Sequence, residues 1–225
     1  MNGGLALTGR QLLSLDRGRI IALSLPLGVP VAMTATFAVT YHLWGDRLGY
    51  IAGFGVYWGV CAALSIGLLG PARIRQLFAD SRPRLGRPAA VGAALLLWPA
   101  IGAIVTRFIP EVGHATPAMI GTIAIVACIN AILEELLWRG VYITFWPHSA
   151  LLGWIWPAIG FGAWHLAPQV IHPAAMGPVA YVLAATALGL SWGWIAFQTH
   201  TIRWTCVSHV VTDGSGLRNA LFFLG

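Results

Sequence analysis

"GTIAIVACINAILEELLWRGVYITF", residues 121–145, is apolar enough to cross a bilayer, yet it carries Glu134, Glu135 and Arg139 in its second half. A spanning helix needs about 20 mostly apolar residues. A charge at its centre costs about 2.5–3.5 kcal/mol on the insertion scale, so three ionisable groups demand compensation and mark a functional-site candidate. Spacing supplies part of that compensation. Glu135 and Arg139 stand four residues apart with the acid first, the favourable order for a helical ion pair. Glu134 points roughly 100° away, with Asn130 and Trp138 one turn to either side on its own face. One glutamate therefore reads as paired and structural, the other as available for chemistry.

The rest of the 225-residue chain shares this character: 58% of residues are hydrophobic and 9% charged. A soluble domain carries about a quarter charged residues, so lipid is the expected solvent, and the 11 Trp suit membrane interfaces. The expected fold is all-α, a polytopic transmembrane helix bundle of about seven spans (six to eight), near 20–42, 49–70, 89–109, 117–145, 150–168, 177–197 and 203–224. Residues 1–19 form an N-terminal segment and a candidate interfacial helix around Leu12, Leu13 and Leu15. Residues 20–225 form one membrane domain.

All basic residues are arginine, and the net charge is +6. Arg10, Arg17, Arg19, Arg73, Arg75, Arg82, Arg84, Arg87, Arg139 and Arg203 fall toward one side, and Arg47, Arg107 and Arg218 toward the other. Basic residues are retained on the cytoplasmic side. The N-terminus and the 71–88 segment are accordingly expected inside, the C-terminus outside, in an integral protein of a prokaryotic inner membrane. This distribution follows topology and forms no polar-edged patch, which argues against a nucleic-acid partner. Cys61, Cys128 and Cys206 lie in apolar stretches without CxxC spacing and read as small hydrophobes rather than a disulfide framework.

Asp16, Asp46, Asp80 and Glu111 fall in loops or at span edges, which leaves Glu134, Glu135 and Asp213 inside apolar stretches. Two histidines join them. "FGAWH" puts Phe161 one turn before His165, and "HVVTD" puts His209 one turn before Asp213. Acids and imidazoles on three separate spans can satisfy each other only by converging. Measured along their helices from the cytoplasmic end, Glu134 lies about 17 Å in, His165 about 22 Å and His209 about 9 Å, so convergence requires tilt or offset. The remaining histidines, His42, His114, His148, His172 and His200, fall near span ends and read as interfacial.

A carboxylate facing an imidazole can hold and deprotonate a water, and a second imidazole can donate to an oxyanion. That chemistry fits water attack on a peptide carbonyl with no cofactor. Glu134, His165 and His209 could instead be three zinc ligands with an open fourth position. A Cys206–His209 nucleophile pair is a weaker rival, since nothing evident activates the sulfur. A catalytically silent scaffold or immunity protein, and a proton relay or transporter, use the same residue types.

"EELLWRG" matches EExxxR, "FGAWH" matches FxxxH and "HVVTD" matches HxxxN/D. In this order on separate spans, over about residues 117–220, they resemble the CAAX-protease and bacteriocin-processing (CPBP, or Abi) family of intramembrane endopeptidases. The resemblance implies a glutamate-activated water and a chamber opening toward the cytoplasm. It implies Glu134 as base and His165 as the group that positions the water. His209 and Asp213 would stabilise the oxyanion, with Glu135, Arg139, Asn130 and Phe161 in support. The implied partner is a membrane-associated protein or peptide in the bilayer, and no metal is expected. The last motif ends in Asp213 where the eukaryotic branch has Asn. An ionised Asp cannot donate a hydrogen bond, so Asp213 is either protonated or orients His209.

Overall fold

The computed structural model describes residues 9–224, with side chains from Asp16 onward. A single helical run, Gly9–Leu77, is broken at Gly45 (φ 73°) and Gly70 (φ 70°). Left-handed backbone of this kind is cheap only for glycine, and the two breaks divide the run into α1 (9–44), α2 (46–69) and α3 (71–77). The next helix, α4 (Ala89–Val112), passes through one π turn, Ile104–Phe108. Helix α5 (Pro117–Phe145) carries the opening stretch. It begins with Pro at its first position, where a missing N–H costs nothing, and the Thr116 side chain accepts from the Met119 amide.

Four further helices follow. These are α6 (Leu151–Ile155 in π geometry continuing as Trp156–Trp164), α7 (Pro178–Thr199), α8 (Arg203–Gly214) and α9 (Leu221–Leu224). No strand occurs among the described residues, and the architecture is the expected all-α membrane bundle. Four helical runs are long and apolar enough to cross a membrane: Asp16–Leu77, Ala89–Val112, Pro117–Phe145 and Pro178–Thr199. Their outward faces present Ile20, Leu27, Val31, Ile66, Ile101, Val179 and Leu183, a surface suited to acyl chains rather than water.

Two expected spans end early. Helix α6 stops at Trp164, where the chain turns through Pro168. Helix α8 stops at Gly214 and gives way to a 3-10 turn, Leu217–Ala220. Residues 9–19 of the expected interfacial segment are helical and run directly into α1, whereas 1–8, and the side chains of Leu12, Leu13 and Leu15, lie outside the described residues.

The helices alternate direction, which gives the bundle two ends. One holds the start of α1, the 70–88 segment, the 146–150 turn and the α7–α8 turn. It is tied together by Arg73 on Thr144, the Ile202 amide on the Leu77 carbonyl, and Arg203 with Asp80. The other holds Gly45, the 113–116 turn, the 165–177 loop and the C-terminal segment. There Arg47 donates to the Phe222 carbonyl and the Arg218 amide to Glu111. At the first end, Asp80 is held below the usual carboxylate range by its hydrogen bonds from Arg84.

Candidate active site

Glu134 and Glu135 are both buried, at 1% and 0% exposure, and both reach the same histidine. His209 Nδ1 lies 3.0 Å from Glu135 Oε1, and its Nε2 lies 3.3 Å from Glu134 Oε2. The two glutamates, expected to serve separate partners, thus converge on the two edges of one imidazole. Both edges can donate at once only in the doubly protonated ring. The ring is clamped by Trp192, stacked at 4.2 Å, and by the edge of Phe161.

Arg139 Nη1 lies 3.1 Å from Glu135 Oε1, as the spacing leads one to expect. This pair spans a π turn, Leu136–Gly140, immediately after the glutamates. Such turns insert one residue into an α-helix and often occur at functional sites. The guanidinium is 1% exposed and lies 4.1 Å above the Phe161 ring and 5.5 Å from Trp192. Aromatic faces attract a desolvated cation. Phe161 therefore has two roles, because its carbonyl also accepts from His165 Nδ1 at 2.7 Å. The carbonyl can only accept, so Nδ1 carries a proton, and in the neutral ring Nε2 is then the acceptor.

Three donors surround Glu134. Tyr57 Oη donates to Oε1 at 2.7 Å and Asn130 Nδ2 to Oε2 at 3.1 Å, with His209 as the third. An ionised carboxylate has about four acceptor sites, so one is left. Asn130 is itself held from behind. Trp58 Nε1 donates to its Oδ1 at 2.9 Å, which turns the amide so that Nδ2 faces both Glu134 and Asp213 Oδ2 (2.9 Å). Asp213 lies 3.5 Å from His209 Nε2. Its Oδ2 accepts from Asn130, beside this contact with His209.

Helix α8 can deliver His209 to Glu134 despite the unequal depths because its first turn does not start at the membrane surface. Thr199, Thr201, Ile202 and Thr205 are all buried, so the chain enters α8 already inside the bundle. Helix α6, by contrast, ends at the site, and His165 is its C-cap residue.

Above these groups lies a chamber of about 570 Å³. Asn130, His165 and Asp213 line it, whereas Glu134 and His209 lie directly behind them. Its walls are aromatic: Tyr50, Phe54, Trp58, Trp164 and Tyr181, with Phe222 and Phe223 of the C-terminal segment. Arg107 and His172 also line it. Every one of these residues sits toward the second end of the bundle, opposite the arginine-rich 71–88 segment. A shallower recess bounded by Asp46, Arg47 and Arg218 shares His172, Asn219 and Phe222 with the chamber and continues it to that end. An arginine-rich cytoplasmic end, expected from the charge pattern, and a chamber opening to the cytoplasm, implied by the resemblance, cannot hold together.

Several groups at the site escaped the sequence reading. Tyr57 bridges Glu134 and Trp138, whose Nε1 donates to its hydroxyl at 2.9 Å, and it stacks on Trp164 at 3.7 Å. The available signal was "VYWGV" (56–60), since an O–H and an indole N–H in mid-span need partners. His172, read as interfacial, lies in the chamber against Tyr50 and Phe222. Cys206 packs with Leu77, Ala196 and Ile202 in a buried apolar cluster and does not line the chamber. Among the described residues no group of three or more His, Cys, Asp or Glu is arranged to hold a metal ion.

These motif-bearing helices are also what comparison with known proteins picks out. Residues 116–215 match the family model described as "Type II CAAX prenyl endopeptidase Rce1-like". Over these residues, 100 of the chain's 225, the sequence is similar to that family of the CPBP group, and the helical runs long and apolar enough to cross a membrane fit an integral membrane protein. No curated protein and no solved structure matches the chain.

Proposed function

We propose that the protein is an intramembrane endopeptidase that hydrolyses a peptide bond with water activated by Glu134. The observation that carries this reading is the carboxylate itself. It is fully buried and held by Tyr57, Asn130 and His209, and it lies one residue behind a chamber wall made of Asn130, His165 and Asp213.

In the proposed reaction a water bound at the fourth acceptor site of Glu134 gives its proton to the carboxylate as its oxygen attacks the peptide carbonyl carbon. The proton then passes from Glu134 to the amide nitrogen as the C–N bond breaks, releasing a carboxylic acid and an amine. His165 Nε2 faces the water as acceptor. His209, engaged by both glutamates, keeps Glu134 in place, and Glu135 with Arg139 holds His209. Asp213 aligns Asn130, whose amide is the donor nearest the developing oxyanion at the chamber wall. The substrate is a membrane-associated protein or peptide cut near its C-terminus or anchor, and no metal takes part.

The test compares membranes from cells expressing the wild type or Glu134→Gln, with protein termini mapped by mass spectrometry. A set of termini present only with the wild type, insensitive to a strong chelator, supports the reading. Identical termini in both strains would sink the protease assignment, and loss with chelator would replace water on Glu134 by water on zinc.

A further inference from the structure

We propose that the chamber opens on the non-cytoplasmic face of the membrane, so that the substrate is an exported polypeptide whose scissile segment lies on that face. The substrate clause rests on the endopeptidase reading, but the orientation does not.

Two independent features carry this inference. The first is where the chamber lies. Its lining comes from the starts of α2, α5 and α7 and from the ends of α4, α6 and α8, and all six point to the same end. The recess of Asp46, Arg47 and Arg218 extends it to the surface there. No chamber-lining residue comes from the 70–88 segment or the 146–150 turn.

The second is charge. Arg10, Arg17, Arg19, Arg73, Arg75, Arg82, Arg84, Arg87 and Arg203 all belong to the opposite end. Of these, Arg17, Arg19, Arg75, Arg82 and Arg87 are exposed and stand outside the Asp80 pairs made by Arg84 and Arg203, so they are available to an anionic leaflet. Arg139, which the sequence count assigned to that side, is buried in the site and drops out of the comparison without changing its sign. The chamber end keeps Arg47, Arg107 and Arg218. Two of these are used within the protein, Arg47 on the Phe222 carbonyl and Arg107 in the chamber wall. Retention of short arginine-rich segments on the cytoplasmic side therefore turns the chamber outward.

An outward chamber selects its substrates. A lipid-modified tail on a cytosolic protein would meet the wrong face. A peptide bond just beyond a membrane anchor on the exported side would enter beside Tyr50, His172 and Phe222 with its apolar segment among the aromatic walls.

Cysteine accessibility in the full chain tests this directly. In a Cys128→Ala background the buried Cys61 and Cys206 remain, and the parent should not react with a membrane-impermeant maleimide. Met176→Cys and His114→Cys report the chamber end, and Ala79→Cys and Ser81→Cys the opposite end. In intact spheroplasts the first two should label and the second two only after permeabilisation. The reverse pattern, or equal labelling of both ends, overturns the proposal. The same experiment on Glu134→Gln separates the two claims. Outward labelling without any cleavage by the wild type would refute the peptidase and leave the orientation standing. Inward labelling with Glu134-dependent cleavage would do the opposite.

Discussion

Replacing Tyr57 by Phe removes one oxygen atom and disturbs two bonds. The hydroxyl donates to Glu134 at 2.7 Å and accepts from Trp138 at 2.9 Å, all of it buried. A hydrogen bond to a charged group is worth roughly 1.5–3 kcal/mol, and a buried donor left without a partner costs about 1–3 kcal/mol. Polar contacts between membrane helices average about 0.6 kcal/mol and reach about 1.7, which argues for the lower part of that range. The expected loss of stability is therefore about 2–3 kcal/mol. The Phe ring still stacks on Trp164, as Tyr57 does at 3.7 Å, so the packing should survive. Denaturant unfolding of the purified protein in micelles, with Trp138→Phe and the double variant completing the cycle, gives the coupling energy. We expect coupling of about 1 kcal/mol between Tyr57 and Trp138, and cleavage lowered about 10–100-fold, equivalent to about 1.4–2.7 kcal/mol of transition-state stabilisation. Unfolding and cleavage both indistinguishable from wild type would refute the claim that Tyr57 holds the carboxylate.

Other parts of the structure make separate predictions. Arg139→Met should destabilise by about 3–5 kcal/mol, because it leaves a buried carboxylate without its cation; Glu135→Gln combined with Arg139→Met should recover part of that loss in the same unfolding assay. At Gly160 an added methyl would lie 2.6 Å from Pro26 and 2.7 Å from the Trp138 ring, so Gly160→Ala should cost about 1–3 kcal/mol of overpacking, while Gly59→Ala, in open space, should cost little. Asp80 should titrate below the free carboxylate range because Arg84 holds it. Its contribution to holding the 78–88 segment is thus present above the unfolded carboxylate's range and lost as pH falls through the depressed folded value, which limited proteolysis across that range can follow.

Much of this was legible in the sequence, for physical reasons. The helical class follows from apolar runs too long and too poor in charge for anything but lipid. The Glu135–Arg139 pair follows from spacing along one helix, and Asn130 beside Glu134 follows the same way. Contacts between helices were not legible. Spacing separated the two glutamates by about 100°, yet His209 fits between them because α8 enters from a buried turn, a fact of tertiary packing. The lengths of α6 and α8 were overestimated because apolar residues continue past Trp164 and Gly214 into turns, where Ala167, Ile171, Leu217 and Ala220 are buried against the protein rather than extending a span. Tyr57 was missed because "VYWGV" signals only that a mid-span O–H and indole N–H need partners, and which partner Tyr57 finds, the Glu134 carboxylate, is decided by helix packing.

The central claim is that Glu134 activates the attacking water. Its most direct test is cleavage by purified wild type and Glu134→Gln on a substrate found by terminus mapping, with thermal unfolding measured on the same samples. The account predicts a Gln variant that folds with wild-type cooperativity and has lost at least about 10³-fold in kcat/KM, the scale on which a general base contributes. A folded Gln variant that cleaves at the wild-type rate would contradict it.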